Sequence, residues 1–183
     1  MSTTFPRIRK SRRGYSVDQV EDFLEEARRA YSADSTEPAV VNATNIRRMA
    51  FSLEKGGYSP AHVYAALERL EYAFASRERE RVIQLSGDEA WYTEARSIAR
   101  EILERLVRPL GHRFDRVGVL SNGYHRREVD AFAARLTNYF QDGRPMSIDE
   151  VRTVAFRSQK GGYREAQVDL LLDAVVTVML AVR

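Results

Sequence analysis

The residues of this 183-residue chain that can do chemistry are scattered, and their spacing defines no reaction. His62, His112 and His125 have no metal-ligand spacing and no companion motif. Cysteine is absent, which removes a disulfide framework, a thiolate metal site and a Cys nucleophile. No loop cradles a phosphate, and no pair of acids asks for general acid–base work. The expectation is a non-enzyme with no catalytic, cofactor-binding or metal-ligating residues. What chemistry remains is electrostatic. Arg7, Arg9, Lys10, Arg12 and Arg13 meet no acid in the first thirteen residues, where Phe5 and Ile8 are the apolar points. Such an arm is a candidate contact for an anionic membrane or a protein partner. At about 1 kcal/mol per basic residue near an anionic surface, it is worth at most ~5 kcal/mol. Useful binding would then need several arms per assembly. The competing reading is a solvated tail with Phe5 and Ile8 packed on the core. Net charge is only +3, so no global field draws the chain to a polyanion.

Helices must position this arm, and the sequence writes their starts four times. Gly14-Tyr15, Gly57-Tyr58, Gly123-Tyr124 and Gly162-Tyr163 are each followed, five residues after the Tyr, by Val20, Val63, Val129 and Val168. A Tyr just outside a helix and a Val at its fourth position form a hydrophobic staple. Ser16 with Gln19 reads as a capping box, and Ser59-Pro60 as an N-cap followed by a proline at the first helical position. The other two copies place His125 and Arg164 at the cap, which weakens those starts by about 1 kcal/mol each. From each Val the apolar residues continue in steps of four, three and four, as in Val20, Leu24, Ala27, Tyr31 and Val63, Leu67, Leu70, Phe74. Val129, Ala133, Leu136, Phe140 and Val168, Leu172, Val175, Met179 repeat the pattern. Steps of that kind draw one stripe along a helix.

Between these helices lie a linker over Ser32 to Asn45 around Pro38 and a helix through Ile46, Met49, Ala50 and Leu53 that stops at Gly56-Gly57. The charges from Arg77 to Arg81 read as a solvated helix face. A connector helix spans Glu89 to Val107, with Trp91 on its apolar stripe and Glu101–Arg105 and Glu104–Arg108 as ion pairs. The second half replays the first. Tyr15 and Tyr124 are 109 residues apart, Tyr58 and Tyr163 105, and Ser147 with Glu150 makes another capping box. The expected organisation is all-α, an A-B-connector-A′-B′ duplication: residues 1–84, a connector over 85–110, and residues 111–183. No stretch has signal-peptide character, and the most apolar run, Ala174 to Val182, is far short of the ~20 residues that span a bilayer. A cytoplasmic protein is expected.

Phe5, Gly14-Tyr15-Ser16 and Val20-Glu21-Asp22-Phe23-Leu24 resemble the amino-terminal domain of DivIVA proteins: an aromatic, a short loop, Gly-Tyr, then a Val-acid-x-Phe-Leu helix. Phe114, Gly123-Tyr124 and Val129-Asp130-Ala131-Phe132 resemble it comparably, and the other two copies more loosely, with Ala66 and Leu171 in place of Phe23. The resemblance covers roughly three quarters of the chain and implies tandem DivIVA-like repeats, as in Gram-positive bacteria. It implies a non-enzymatic module that docks on curved membrane at cell poles and septa and recruits division or wall-growth proteins. Arg12, Lys55, Ser121 and Lys160 stand where similar proteins carry a lipid-inserting aromatic, and no helix has the length of the family's coiled-coil rod. The four copies are expected to pair with one another as internal pseudo-dimers.

The function expected is that of an adaptor or scaffold in cell division or polar growth. Its partner would be a coiled-coil DivIVA-type scaffold or another division or wall-growth protein, with an anionic membrane surface and a second copy as further partners. Recruitment would be to the pole or septum, at the inner face of the membrane. The alternative is a nucleic-acid-binding regulator, because helix–Gly-Gly–helix units bearing Arg47, Arg48, Arg126 and Arg127 imitate helix-turn-helix modules. Against it, no predicted recognition helix carries a dense basic face, and Glu or Asp is interleaved along the helices.

Overall fold

The computed structural model describes residues 5–33 and 41–182. Half of the expected linker, residues 34–40 with Pro38 among them, lies outside the described residues. The protein is mostly helical, and the described residues form four strands of three residues each among seven helices. It divides into two compact units, Met1–Gln84 and Leu85–Arg183.

The first unit runs β1 (Arg13–Tyr15), α1 (Val17–Ser32), α2 (Ala43–Arg47), β2 (Leu53–Lys55) and α3 (Pro60–Ser86). The second runs α4 (Asp88–Leu106), β3 (Asn122–Tyr124), α5 (Arg126–Asp142), α6 (Ile148–Thr153), β4 (Ser158–Lys160) and α7 (Glu165–Ala181). β1 pairs antiparallel with β2, Gly14 opposite Glu54, and β3 pairs the same way with β4, Gly123 opposite Gln159. The expected connector is α4, which packs on α5 and α7 as part of the second unit. Trp91 on α4 donates its indole N–H to the Ala181 carbonyl at 3.0 Å.

The stripes supply the cores. In the first unit Val20, Ala27, Val63 and Phe74 are buried with Phe23, Val41, Ala43 and Ile46. Burying each such Val or Phe side chain away from water contributes about 1.5–3 kcal/mol. Tyr31, the last member of the α1 stripe, is exposed, and Arg77 stacks its guanidinium 5.0 Å from the ring centre. In the second unit Val129, Ala133, Leu136, Val168, Val175 and Met179 are buried.

Several expectations are corrected. The helix expected to run to Gly56-Gly57 ends at Arg47, capped at its start by the Asn42 side chain, because residues 53–55 must be extended to pair with β1. Leu53 therefore faces solvent and Phe51 takes the core position between Tyr15 and Phe23. Gly56 does take a left-handed φ of 70°, but in the turn that follows β2 rather than at a helix end. The Ser16–Gln19 capping box does not form. Ser16 makes no side-chain cap bond, and Gln19 accepts instead from the Ser52 N–H and hydroxyl. The box at Ser147 and Glu150 is complete.

The run from Arg77 to Arg81 is not a solvated face, since Arg77, Glu78, Arg79 and Arg81 are half-buried. Arg77 donates to the Ala33 carbonyl, and Glu78 accepts from the Ala43 N–H at 2.9 Å. Burial raises the Glu78 carboxyl pKa, opposed by that N–H and by Arg47. On α4, Arg105 lies over the Phe114 ring rather than pairing with Glu101, and the ion pair observed on the helix is Arg96 with Glu89.

Candidate functional site

Each unit is organised around two Gly-Tyr segments that meet at their backbones. In the first, the Tyr15 N–H donates to the Tyr58 carbonyl at 3.0 Å and the Tyr58 N–H returns to Tyr15 at 2.9 Å. In the second, Tyr124 and Tyr163 exchange the same two bonds, both at 2.9 Å. The first Gly-Tyr segment is thus paired with the second, and the third with the fourth. Closeness explains the glycines better than conformation does. A Cβ on Gly14 would sit 2.3 Å from the Tyr58 oxygen, and one on Gly57 2.3 Å from the Tyr15 oxygen. At Gly123 and Gly162 the corresponding gaps are 2.2 and 2.5 Å. No side chain fits there.

The basic arm is one leg of this interlock. Ser59 donates its N–H to the Pro6 carbonyl at 2.9 Å and Ile8 donates to Gly57 at 3.0 Å, while Arg7 bridges to Tyr58. Phe5 packs edge-on against the Tyr58 ring at 5.4 Å, and Phe5 and Ile8 are half-buried. The chain then turns, the Arg12 N–H bonding the Arg9 carbonyl at 2.8 Å, and returns as β1. Arg9, Lys10, Arg12 and Arg13 are all exposed on this hairpin, and Lys55 stands opposite Arg13 on β2. The apolar points anchor the arm and the bases face outward, as in the reading that packs Phe5 and Ile8 on the core.

The second unit builds the same hairpin with other side chains. Val117 donates to Gly162 at 2.9 Å, Arg164 donates to Asp115 at 2.8 Å, and Phe114 packs edge-on against Tyr163 at 5.4 Å. The turn closes through Ser121 N–H to Gly118. Its tip is Val119 and Leu120, which are 79% and 84% exposed. Sequence reasoning passed over this pair because it sought an aromatic at Ser121. The signal was there: two aliphatics in an otherwise polar turn.

A second missed feature fixes the tyrosines. The acid that follows the stripe Val receives the phenol of the opposite segment: Tyr58 donates to Glu21, and Tyr163 donates to Asp130 at 3.0 Å. Tyr124 is held likewise by Asp169. Asp130 also accepts from the Gly111 N–H, and it stands 3.4 Å from Arg113, whose guanidinium donates to the Leu106 and Asp130 carbonyls. Burial, then the neighbouring Asp130, pushes the Tyr163 hydroxyl up to about 12. Burial and Asp169 do the same for Tyr124, while burial raises the Asp169 carboxyl against the Tyr124 hydrogen bond. The first unit's buried ion pair is elsewhere, Arg47 with Glu71 at 2.7 Å.

Helix starts are capped across the interlock. Glu54 on β2 accepts from the Val17 N–H at 3.1 Å, and Gln159 on β4 from the Arg126 N–H at 3.0 Å. Glu128 accepts from the Arg157 N–H, which with the Arg157 side chain lowers the Glu128 pKa. Gln167 exchanges hydrogen bonds with Asp115 at 2.9 and 2.7 Å.

Of the histidines, His62 bonds Ser59, His112 is exposed, and His125 precedes α5. Among the described residues no three His, Asp or Glu side chains are placed to hold a metal, and no helix is long and apolar enough to cross a membrane. In the second unit a small apolar space lies among Phe114, Phe132, Phe156, Leu171 and Leu172, with no polar side chain in its lining. The arrangement offers exposed hairpin tips on rigid, doubly bonded frames. No family model, curated protein or solved structure matches the chain.

Proposed function

We propose that the chain is a non-enzymatic adaptor built of four DivIVA-like repeats, paired two by two, that serves cell division or polar growth by peripheral membrane docking and protein binding. The observation that carries the reading is the paired Gly-Tyr interlock, which presents one hairpin with Arg9, Lys10, Arg12 and Arg13 exposed and another with Val119 and Leu120 exposed. Bases near an anionic surface attract at about 1 kcal/mol each, and an exposed aliphatic pair gains a few kcal/mol more on leaving water. The duplicated sequence supports the repeat reading, with each Gly-Tyr segment supplying half of a mutual backbone contact. The protein partner proposed is a DivIVA-type coiled-coil scaffold or a division or wall-growth protein, and recruitment is to the inner face of the membrane at pole or septum.

A tagged copy that complements a deletion tests this in cells. Polar or septal foci that disperse when Arg9, Lys10 and Arg12 are replaced by Glu are expected. Uniform fluorescence of the functional wild-type fusion contradicts the proposal.

A further inference from the structure

We infer that Ser11 is a phosphoacceptor for a Ser/Thr kinase that selects basic side chains on both sides of its target. The inferred consequence, which rests on the membrane reading above, is that phosphorylation switches off the first unit's basic hairpin. Ser11 occupies the tip of the turn closed by the Arg12 N–H to the Arg9 carbonyl, and it is exposed. Its own N–H and carbonyl enter no backbone hydrogen bond among the described residues. A kinase cleft can therefore draw the tip into an extended form by breaking two bonds, the Arg12 N–H to the Arg9 carbonyl and the Gly56 N–H to the Arg12 carbonyl, leaving the Ile8–Gly57 and Tyr15–Tyr58 bonds in place.

Arg9 and Lys10 precede Ser11, Arg12 and Arg13 follow it, and all four are exposed. Other serines beside a base are held in regular structure: Ser158 sits in the β4 ladder, and Ser76 and Ser97 lie on α3 and α4. The second unit's turn carries Leu120 at its tip and no base in the turn, so it offers no equivalent acceptor.

In the reaction the γ-phosphoryl group of a magnesium-bound nucleoside triphosphate passes to the Ser11 Oγ. The Oγ–P bond forms, the bond from the γ-phosphorus to the β–γ bridging oxygen breaks, and nucleoside diphosphate leaves. The hydroxyl proton goes to the kinase's carboxylate and then to solvent. The product adds about −1.5 to −2 charges and three acceptor oxygens between Arg9 and Arg12. These two guanidiniums then face the phosphate rather than an outside anion. Cancelling about two charges is expected to weaken attraction to an anionic surface by roughly 30-fold.

The test treats the purified full chain with the catalytic fragment of protein kinase C and magnesium ATP, maps the sites by mass spectrometry, and compares S11A. A single phosphate on Ser11, absent from S11A, is expected. The phosphorylated chain should then partition roughly 30-fold less onto phosphatidylserine–phosphatidylcholine vesicles. Phosphate at other serines, or none while an isolated 7–15 peptide is modified, overturns the acceptor assignment. Phosphate on Ser11 with unchanged vesicle binding overturns the switch. Unmodified chain that ignores the vesicles refutes the membrane reading alone. In that case retention on a sulfonate column, expected to fall on modification, decides whether the phosphate neutralises the hairpin.

Discussion

The two units share a frame and differ at their tips. Both have a Gly-Tyr pair locked by two backbone bonds, an aromatic edge-on to the second Tyr, and helix starts capped from the opposite strand. The first unit's hairpin carries five bases over residues 7–13, whereas the second's carries Val119 and Leu120. Their buried charges also differ, Arg47 with Glu71 in one and Arg113 with Asp130 and Tyr163 in the other. The comparison teaches that the backbone contacts define the frame, while the ion pair that braces it and the tip that leaves it vary independently. The single Trp91 lies in the second unit, so fluorescence follows that unit while circular dichroism follows both.

The largest effect should come from breaking a brace. Asp130→Ala leaves Arg113 buried without its carboxylate and Tyr163 without its acceptor, at an expected cost of about 3–5 kcal/mol. The Trp91-detected urea transition should fall sharply, with the first unit's ellipticity loss unmoved. Next come the glycines. Gly123→Ala drives a methyl into the Tyr163 carbonyl and should cost about 3 kcal/mol, whereas Gly118→Ala, whose nearest neighbour is a Ser121 hydroxyl at 3.7 Å, should cost under ~0.5 kcal/mol. Gly14→Ala should move the circular-dichroism transition and leave the Trp91 transition in place. Equal shifts for Gly118→Ala and Gly123→Ala would refute the close-approach account.

Alkaline pH gives a smaller, graded effect on the second unit. Tyr124 and Tyr163 titrate near 12 in the folded protein and near 10 when unfolded, so their neutral forms favour the fold. That stability is fully present below about pH 10 and is lost as pH rises towards about 12. Tyr163→Phe should flatten the Trp91-detected decline between those values. The smallest effect concerns caps: Ser147→Ala should cost about 1 kcal/mol, and Ser16→Ala should lose no cap bond because Ser16 makes none. Glu54→Ala, which uncaps Val17, should cost more than Ser16→Ala in the same denaturation assay.

The helical stripes were legible because a helix face is a local property: Val20 and Ala27, or Val129 and Leu136, need only their own spacing to be read as core. The Gly-Tyr pairs were visible as motifs, but their role as mutual backbone partners was not, since the bonds join residues 43 and 39 apart. The same distance hid Glu21, Asp130 and Asp169 as acceptors for tyrosines across the interlock. Ser16 misled because its capping signature is real, yet Gln19 has a better-placed partner in Ser52. Leu53 misled too, continuing a helical stripe by coincidence where β2 had to be extended.

The most direct measurement is co-sedimentation of the full chain with anionic and neutral vesicles at low and high salt. Residues 1–13 should be neutralised in place by Arg9→Gln, Lys10→Gln and Arg12→Gln rather than deleted, because deletion would also strip Phe5 and Ile8 from the fold. Binding to anionic vesicles only, weakened by salt and by the triple Gln variant, with a further loss from Val119→Asp, is predicted. Equal binding by the wild type and both variants, or none by any of them at low salt, would contradict docking through the hairpin tips.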